Sequence, residues 1–136
     1  MQKIDDISIA SDLSALHTLH DFFEELKSKI DLNSQVQENM VLALSEAATN
    51  AIVHGNKNDP NKKVTVKIFA DGEKVLAEVH DEGSGFDPSS LPDPLSEENL
   101  LKQGGRGVFL IEQFADSVEF QNEGSTVVLT FNRKSD

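Results

Sequence analysis

The 136-residue sequence contains no cysteine, no tryptophan and no tyrosine. Without cysteine there are no disulfides and no thiolate metal sites, which is compatible with the cytosol. Eight phenylalanines must supply all of the aromatic packing. Cations are scarce as well: Lys and Arg number 12 against 24 Asp and Glu, for a net charge of −12. That balance argues against a nucleic-acid backbone or an anionic membrane surface as a direct partner. A phosphate compound bound to such a chain needs a local cradle rather than a global positive field. No apolar run approaches the length of a membrane span. The opening residues, MQKIDDISIA, lack the apolar core of a signal peptide. The expectation is a soluble, cytoplasmic, acidic protein whose length fits one domain, 1–136, around one core.

What is present alternates in two periods. KIDDISIA carries β-branched Ile4, Ile7 and Ile9 and suits a first strand. Leu13, Leu16, Leu19, Phe23, Leu26 and Ile30 then recur at helical spacing, with Ser11 or Asp12 as N-cap. Ser34 can cap a second helix, whose apolar side is Val36, Met40, Ala43, Leu44 and Ala47. This helix runs toward Gly55 and ends in GNKNDPN, a dense turn signal. KKVTVKIFA and KVLAEVHDEG flank Asp-Gly and read as a hairpin. The stretch from Ser84 to Gly107 holds three of the four prolines and, with Gly83 at its edge, five glycines. It reads as a long loop, with one helical turn from Ser96. VFLIEQFAD resumes helical periodicity with Gly107 at its entry, and SVEFQ and STVVLTFN close the chain as a second hairpin. The order is β-α-α-β-β-loop-α-β-β.

Three features carry candidate chemistry. Glu46, Asn50 and His54 are spaced by four, so on a helix they share one face. An Asn amide oxygen is a good ligand for a hard cation. A carboxylate one turn away can orient or deprotonate a hydroxyl or water. His54 has no second His or Cys at metal-ligand spacing, which argues against zinc. Asp81 ends a strand and is followed by Gly83 and Gly85. A carboxylate there can accept from an exocyclic amine, with glycines admitting a flat ring. Gly104, Gly105 and Gly107 surround Arg106 at a helix start, where free backbone N–H groups and the helix dipole favour an anion. Taken singly, each feature is better read as a tight turn or a solvated helix end.

Their order is more specific than any one of them. A Glu-x-x-x-Asn helix, an Asp-x-Gly-x-Gly, a long loop and a Gly-x-Gly opening a helix together resemble the GHKL (Bergerat-fold) ATP-binding superfamily. The compact anti-sigma-factor serine/threonine kinases are the group most similar. SEAATNAIVHG, DEGSGFDP, GGRGVFLIEQFADSVEF and GSTVVLTF carry the resemblance, which covers nearly the whole chain. No sensor or phosphotransfer helix pair precedes it, which argues against a sensor histidine kinase. The length leaves no room for the extra domains of gyrase, Hsp90-type or mismatch-repair members.

The resemblance implies a site, residue by residue. Asn50 holds the Mg²⁺ that bridges the ATP phosphates, and Glu46 is the general base. Asp81 receives the adenine amino group, Gly83 and Gly85 shape that pocket, and His54 belongs to the nucleotide-binding set. Residues from about Asp87 to Gln103 form a lid. Gly104, Gly105, Arg106 and Gly107 wrap the phosphates. Ser125 supplies a hydroxyl beside Asp81, with Thr126 the weaker candidate because strand alternation points only one of them inward. Gln103 departs from the pattern, since some of these kinases carry an arginine there; Arg106, Lys102 or Lys57 would have to supply the cation. The implied activity is phosphorylation of a small antagonist protein by a homodimeric kinase that also sequesters a sigma factor. A non-catalytic ATP/ADP-binding module and a nucleotide-free α/β domain are the competing readings. The expected fold is α+β: a two-layer sandwich of a mixed, mainly antiparallel sheet covered on one side by about three helices.

Overall fold

Period-two alternation in KVTVKIFA and KVLAEVHD sends every second side chain to the same face, and the chain folds the two runs back on each other. The computed structural model describes residues 1–83, 107–122 and 125–133. Five strands form one sheet: β1 (Gln2–Ala10), β2 (Lys63–Ala70), β3 (Lys74–Asp81), β4 (Ser117–Gln121) and β5 (Thr126–Asn132), in the order β1-β2-β3-β5-β4. Every neighbouring pair is antiparallel, so the sheet is antiparallel throughout where a mixed one is expected. The reason is topological. β3 and β4 run in the same direction on either side of an intervening helix, but β5 lies between them and pairs antiparallel with both.

Burial is one-sided. Ile7, Val66, Val79 and Val127 lie opposite one another across four strands, and Ile68, Ala77 and Leu129 form the next row. Val64, Val66, Ile68, Val75, Ala77, Val79, Leu129 and Phe131 are all buried. Leu19, Leu44, Ile52 and Ile111 from the helical layer complete this core. The other face carries Thr65, Lys67, Glu78, His80 and Thr130, all part-exposed.

The helical layer follows the apolar spacing. A 3₁₀ turn (Leu13–Ala15) leads into α1 (Leu16–Leu26), which buries Leu19, Phe22, Phe23 and Leu26. Asp12 caps the turn by accepting from the Ser14 N–H at 3.0 Å. α2 (Ser34–Asn50) buries Val36, Met40, Ala43, Leu44 and Ala47. Its cap is Asn33 rather than Ser34, because residue 33 is the one in extended backbone; its side-chain oxygen accepts from the Val36 N–H at 2.8 Å. α3 (Gly107–Phe114) begins at the expected glycine and packs against α2. In the β2–β3 turn the Asp71 carboxylate accepts from the Glu73 and Lys74 N–H groups, both at 2.8 Å. Gly72 is not left-handed there, so the aspartate side chain, not glycine's freedom, holds the turn.

Candidate functional site

α2 supplies the floor. Glu46 and Asn50 are one helical turn apart, with Ala47 and Ala51 beside them keeping the surface low. Asn50 is 7% exposed, an unusual place for an amide, and Glu46 is half-buried. Burial pushes the Glu46 carboxyl above its ordinary value. After Asn50 the helix widens into a π-helical turn, Ala51–Gly55, closed by the Asn56 N–H donating five residues back to the Ala51 carbonyl at 2.8 Å. Such insertions rotate the phase of the residues beyond them and concentrate at functional sites. His54 is half-buried within this turn.

β3 supplies the wall. Its alternation sets Asp81 on the covered face, in line with Val75, Ala77 and Val79. The π turn delivers Gly55 against that carboxylate. A Cβ at Gly55 would lie 2.2 Å from Asp81 Oδ2 and 2.4 Å from its Cγ. Gly83 folds over the same spot, where a Cβ would sit 1.9 Å from the Gly55 carbonyl oxygen. The Gly83 N–H donates to Asp81 Oδ1 at 2.9 Å, and the Asp81 N–H donates to the Ser125 carbonyl at 2.9 Å. Burial pushes the Asp81 carboxyl up; the Gly83 hydrogen bond, then His80 and Lys62, pull partly the other way.

Between floor and wall is a narrow cavity lined by Ala47, Asn50, Ala51, Val79, Asp81, Ile111, Phe120 and Val127. Its walls are aliphatic or aromatic, and its two polar residues differ in kind. The carboxylate accepts only, which suits an amine-bearing ring; the amide oxygen suits a hard cation.

Other expected site residues fall elsewhere. Ser125 offers Asp81 its carbonyl, while its hydroxyl donates to the Asn122 carbonyl at 2.9 Å. Thr126 pairs with His80 across the strands, one residue off the Asp81 row, so its hydroxyl faces the outer side. There it meets His80 Nδ1 at 2.9 Å and Asn122 Nδ2 at 3.2 Å. Among the described contacts the Ser125 hydroxyl is bonded to Asn122 and the Thr126 hydroxyl to His80 and Asn122. Lys57 is exposed, in left-handed backbone just past the π turn. Gly107 is the first residue of α3. Gly85, Gly104, Gly105, Arg106, Lys102 and the expected lid from Asp87 to Gln103 lie outside the described residues. Sequence reasoning passed over Gly55 as a mere helix end, and Asn56 as a turn residue. A glycine flanked by a polar helical stripe was the available signal for Gly55; Asn56 had none.

An antiparallel sheet roofed by helices, with an Asn on the floor helix and an Asp-x-Gly at a strand end, defines a kinase-like ATPase fold. The model of the histidine kinase-like ATPase domain matches residues 9–131, and the chain belongs to that family. Particular relatives narrow the comparison. The chain is 38% identical over 108 residues to the serine-protein kinase RsbW of Bacillus subtilis, spanning 68% of this chain and 62% of that protein. It is 30% identical over 129 residues to the anti-sigma F factor of Oceanobacillus iheyensis, spanning 91% and 79%. RsbW of Listeria monocytogenes is 29% identical over 112 residues, spanning 77% and 71%. A crystal structure of RsbU and RsbW domains from Mycobacterium tuberculosis superposes with a TM-score of 0.63 at 17% identity, over 96% of this chain and 32% of that one. At that identity the likeness concerns the fold. Among the described residues no helix is long and apolar enough to cross a membrane.

Proposed function

We propose that this chain is an ATP-dependent serine/threonine protein kinase of the anti-sigma type. It phosphorylates a small antagonist protein and binds a sigma factor in a partner-switching system, acting as a cytoplasmic homodimer. The observation that carries the reading is the cavity between α2 and β3, which combines an accept-only carboxylate, a buried amide and apolar walls. The names of the relatives support it: they are serine-protein kinases and an anti-sigma factor.

The donor set fits ATP and Mg²⁺. Asp81 accepts from the exocyclic amine of adenine, while Val79, Phe120, Val127 and Ile111 exclude water from the ring. Asn50 offers its amide oxygen to the cation. Phosphate and water oxygens would supply further ligands, the usual case for Mg²⁺. Bound Mg²⁺ supplies neutralisation of the triphosphate charge. Glu46, desolvated and hence more basic than a surface carboxylate, takes the proton of the incoming serine hydroxyl. His54 and Gly83, with Gly85, Gly104, Gly105, Arg106 and Gly107 on the phosphate side, complete the set. Ser125 contributes its carbonyl, holding the Asp81 backbone.

The test is transfer of labelled phosphate from ATP·Mg²⁺ to a cognate antagonist, comparing wild type with Glu46→Ala. Transfer by wild type and none by the variant supports the kinase. Gln103, standing where some relatives of this type carry arginine, favours a second reading, a nucleotide-binding module without transfer. Nucleotide binding by calorimetry with no label transfer selects that one. No heat with ATP·Mg²⁺ rules out both.

A further inference from the structure

Asn56 is 1% exposed, yet it carries a full set of polar atoms. Every one is engaged. Its Nδ2 donates to Ser11 Oγ at 2.5 Å and to the Lys63 carbonyl at 3.0 Å. Its Oδ1 accepts from the Glu82 N–H at 2.8 Å. Its own N–H closes the π turn on Ala51, and its carbonyl accepts from the Asp59 N–H at 3.1 Å. Ser11 is itself wholly buried and donates its N–H to the Lys62 carbonyl at 3.0 Å. Lys63 in turn donates its N–H to the Glu82 carboxylate at 3.0 Å. One neutral amide therefore joins the end of α2, the β1–α1 junction, the start of β2 and the end of β3.

The acceptor end matters most. Glu82 is the peptide between Asp81 and Gly83, the two residues that touch Gly55. Pinning its N–H fixes the height of the Asp81 carboxylate relative to the end of α2. Aspartate lacks the donors for Lys63 and Ser11, and alanine removes the partner of the buried Ser11 hydroxyl and of the part-buried Lys63 carbonyl and Glu82 N–H.

We propose that Asn56 is a positioning residue for base recognition: by holding Glu82, Lys63 and Ser11 together it sets the pocket's preference for an adenine over a guanine nucleotide. This inference rests on the reading of Asp81 as the carboxylate that meets the base amine. A guanine presents a carbonyl where adenine presents that amine, so a correctly placed acceptor repels it. A carboxylate free to shift discriminates less.

The experiment is calorimetric titration of wild type, Asn56→Ala and Ser11→Ala with ATP·Mg²⁺ and GTP·Mg²⁺, with thermal melts of each. Wild type prefers ATP. Asn56→Ala, assayed well below its melting temperature, loses about tenfold in ATP affinity, the scale of one lost buried hydrogen-bond set, and its ATP-to-GTP ratio narrows by a similar factor. Ser11→Ala narrows the ratio by roughly twofold, and the double variant is no worse than Asn56→Ala alone, as expected for one network. General destabilisation would leave the ratio unchanged. A folded Asn56→Ala with the wild-type ratio overturns the inference alone. If that variant does not fold, Ser11→Ala decides by the same ratio: narrowed supports, unaltered overturns. A wild type that ignores ATP, or takes ATP and GTP alike, overturns the reading of Asp81 and this inference with it.

Discussion

Alanine at position 55 isolates the contact between the end of α2 and the Asp81 carboxylate. Gly55 is not in left-handed backbone, so alanine meets no torsional penalty there; any effect comes from the added methyl. That methyl would lie 2.2 Å from Oδ2, whereas ordinary contact begins near 3.4 Å. The carboxylate must retreat by about 1 Å, a misplacement that costs on the order of 100-fold when a group must meet its partner in fixed geometry. It cannot swing freely, because Oδ1 holds the Gly83 N–H and its backbone holds Ser125. Overpacking of this kind destabilises by roughly 1–3 kcal/mol, a drop of several degrees in melting temperature. Calorimetry with ATP·Mg²⁺ and a melt on the same sample measure both. Gly55→Ala is expected to fold, melt lower and bind ATP about 100-fold more weakly. Binding within twofold of wild type would refute the contact as a determinant of the site.

The same geometry sets four further outcomes. Glu46→Gln should keep ATP affinity but lower phosphate transfer by about 10²–10⁴-fold in the labelled-ATP assay, the scale of a lost general base. Asp81→Asn should abolish the ATP heat yet raise the melting temperature, since Asn still accepts from the Gly83 N–H without a desolvated charge. The folded-state values of Glu46 and Asp81 are both raised, so the folded chain binds their protons more tightly than the unfolded chain. Their contribution to stability therefore falls as pH rises from the ordinary carboxylate range through the raised values. Asp5, Asp12 and Asp71 are held low and act oppositely, so the comparison is the pH slope of melting in wild type against Glu46→Gln/Asp81→Asn, with the double variant losing that fall. Asn33→Ala removes the α2 cap and should cost about 1 kcal/mol in urea titration while leaving ATP affinity unchanged.

Most of the framework was legible because it depends on neighbours in sequence. Alternation located β2, β3 and the closing hairpin, and it put Asp81 in line with Val75, Ala77 and Val79. Spacing by four put Glu46 and Asn50 on one side of α2. Long-range partners decided the rest. Gly55 must meet Asp81 from 26 positions away, and a π turn rather than a regular helical turn brings it there. Asn56 takes its partners from Ser11, Lys63 and Glu82, none of which local pattern connects. Thr126 was ambiguous until its register opposite His80 sent its hydroxyl outward. Asn33 displaced Ser34 as cap because of its backbone conformation, which composition does not reveal.

The strand order also bears on how the chain comes into being. Among the described residues β1 is an edge strand laddered with β2, matching Ile9 to Val64 across both α1 and α2. Contacts so far apart in sequence close slowly, because loop entropy is spent before pairing returns anything. During synthesis β1 gains its β2 ladder only after α1 and α2 have been made. Lys3, Asp5 and Asp6 within it are the kind of residues that discourage two waiting copies from zipping together.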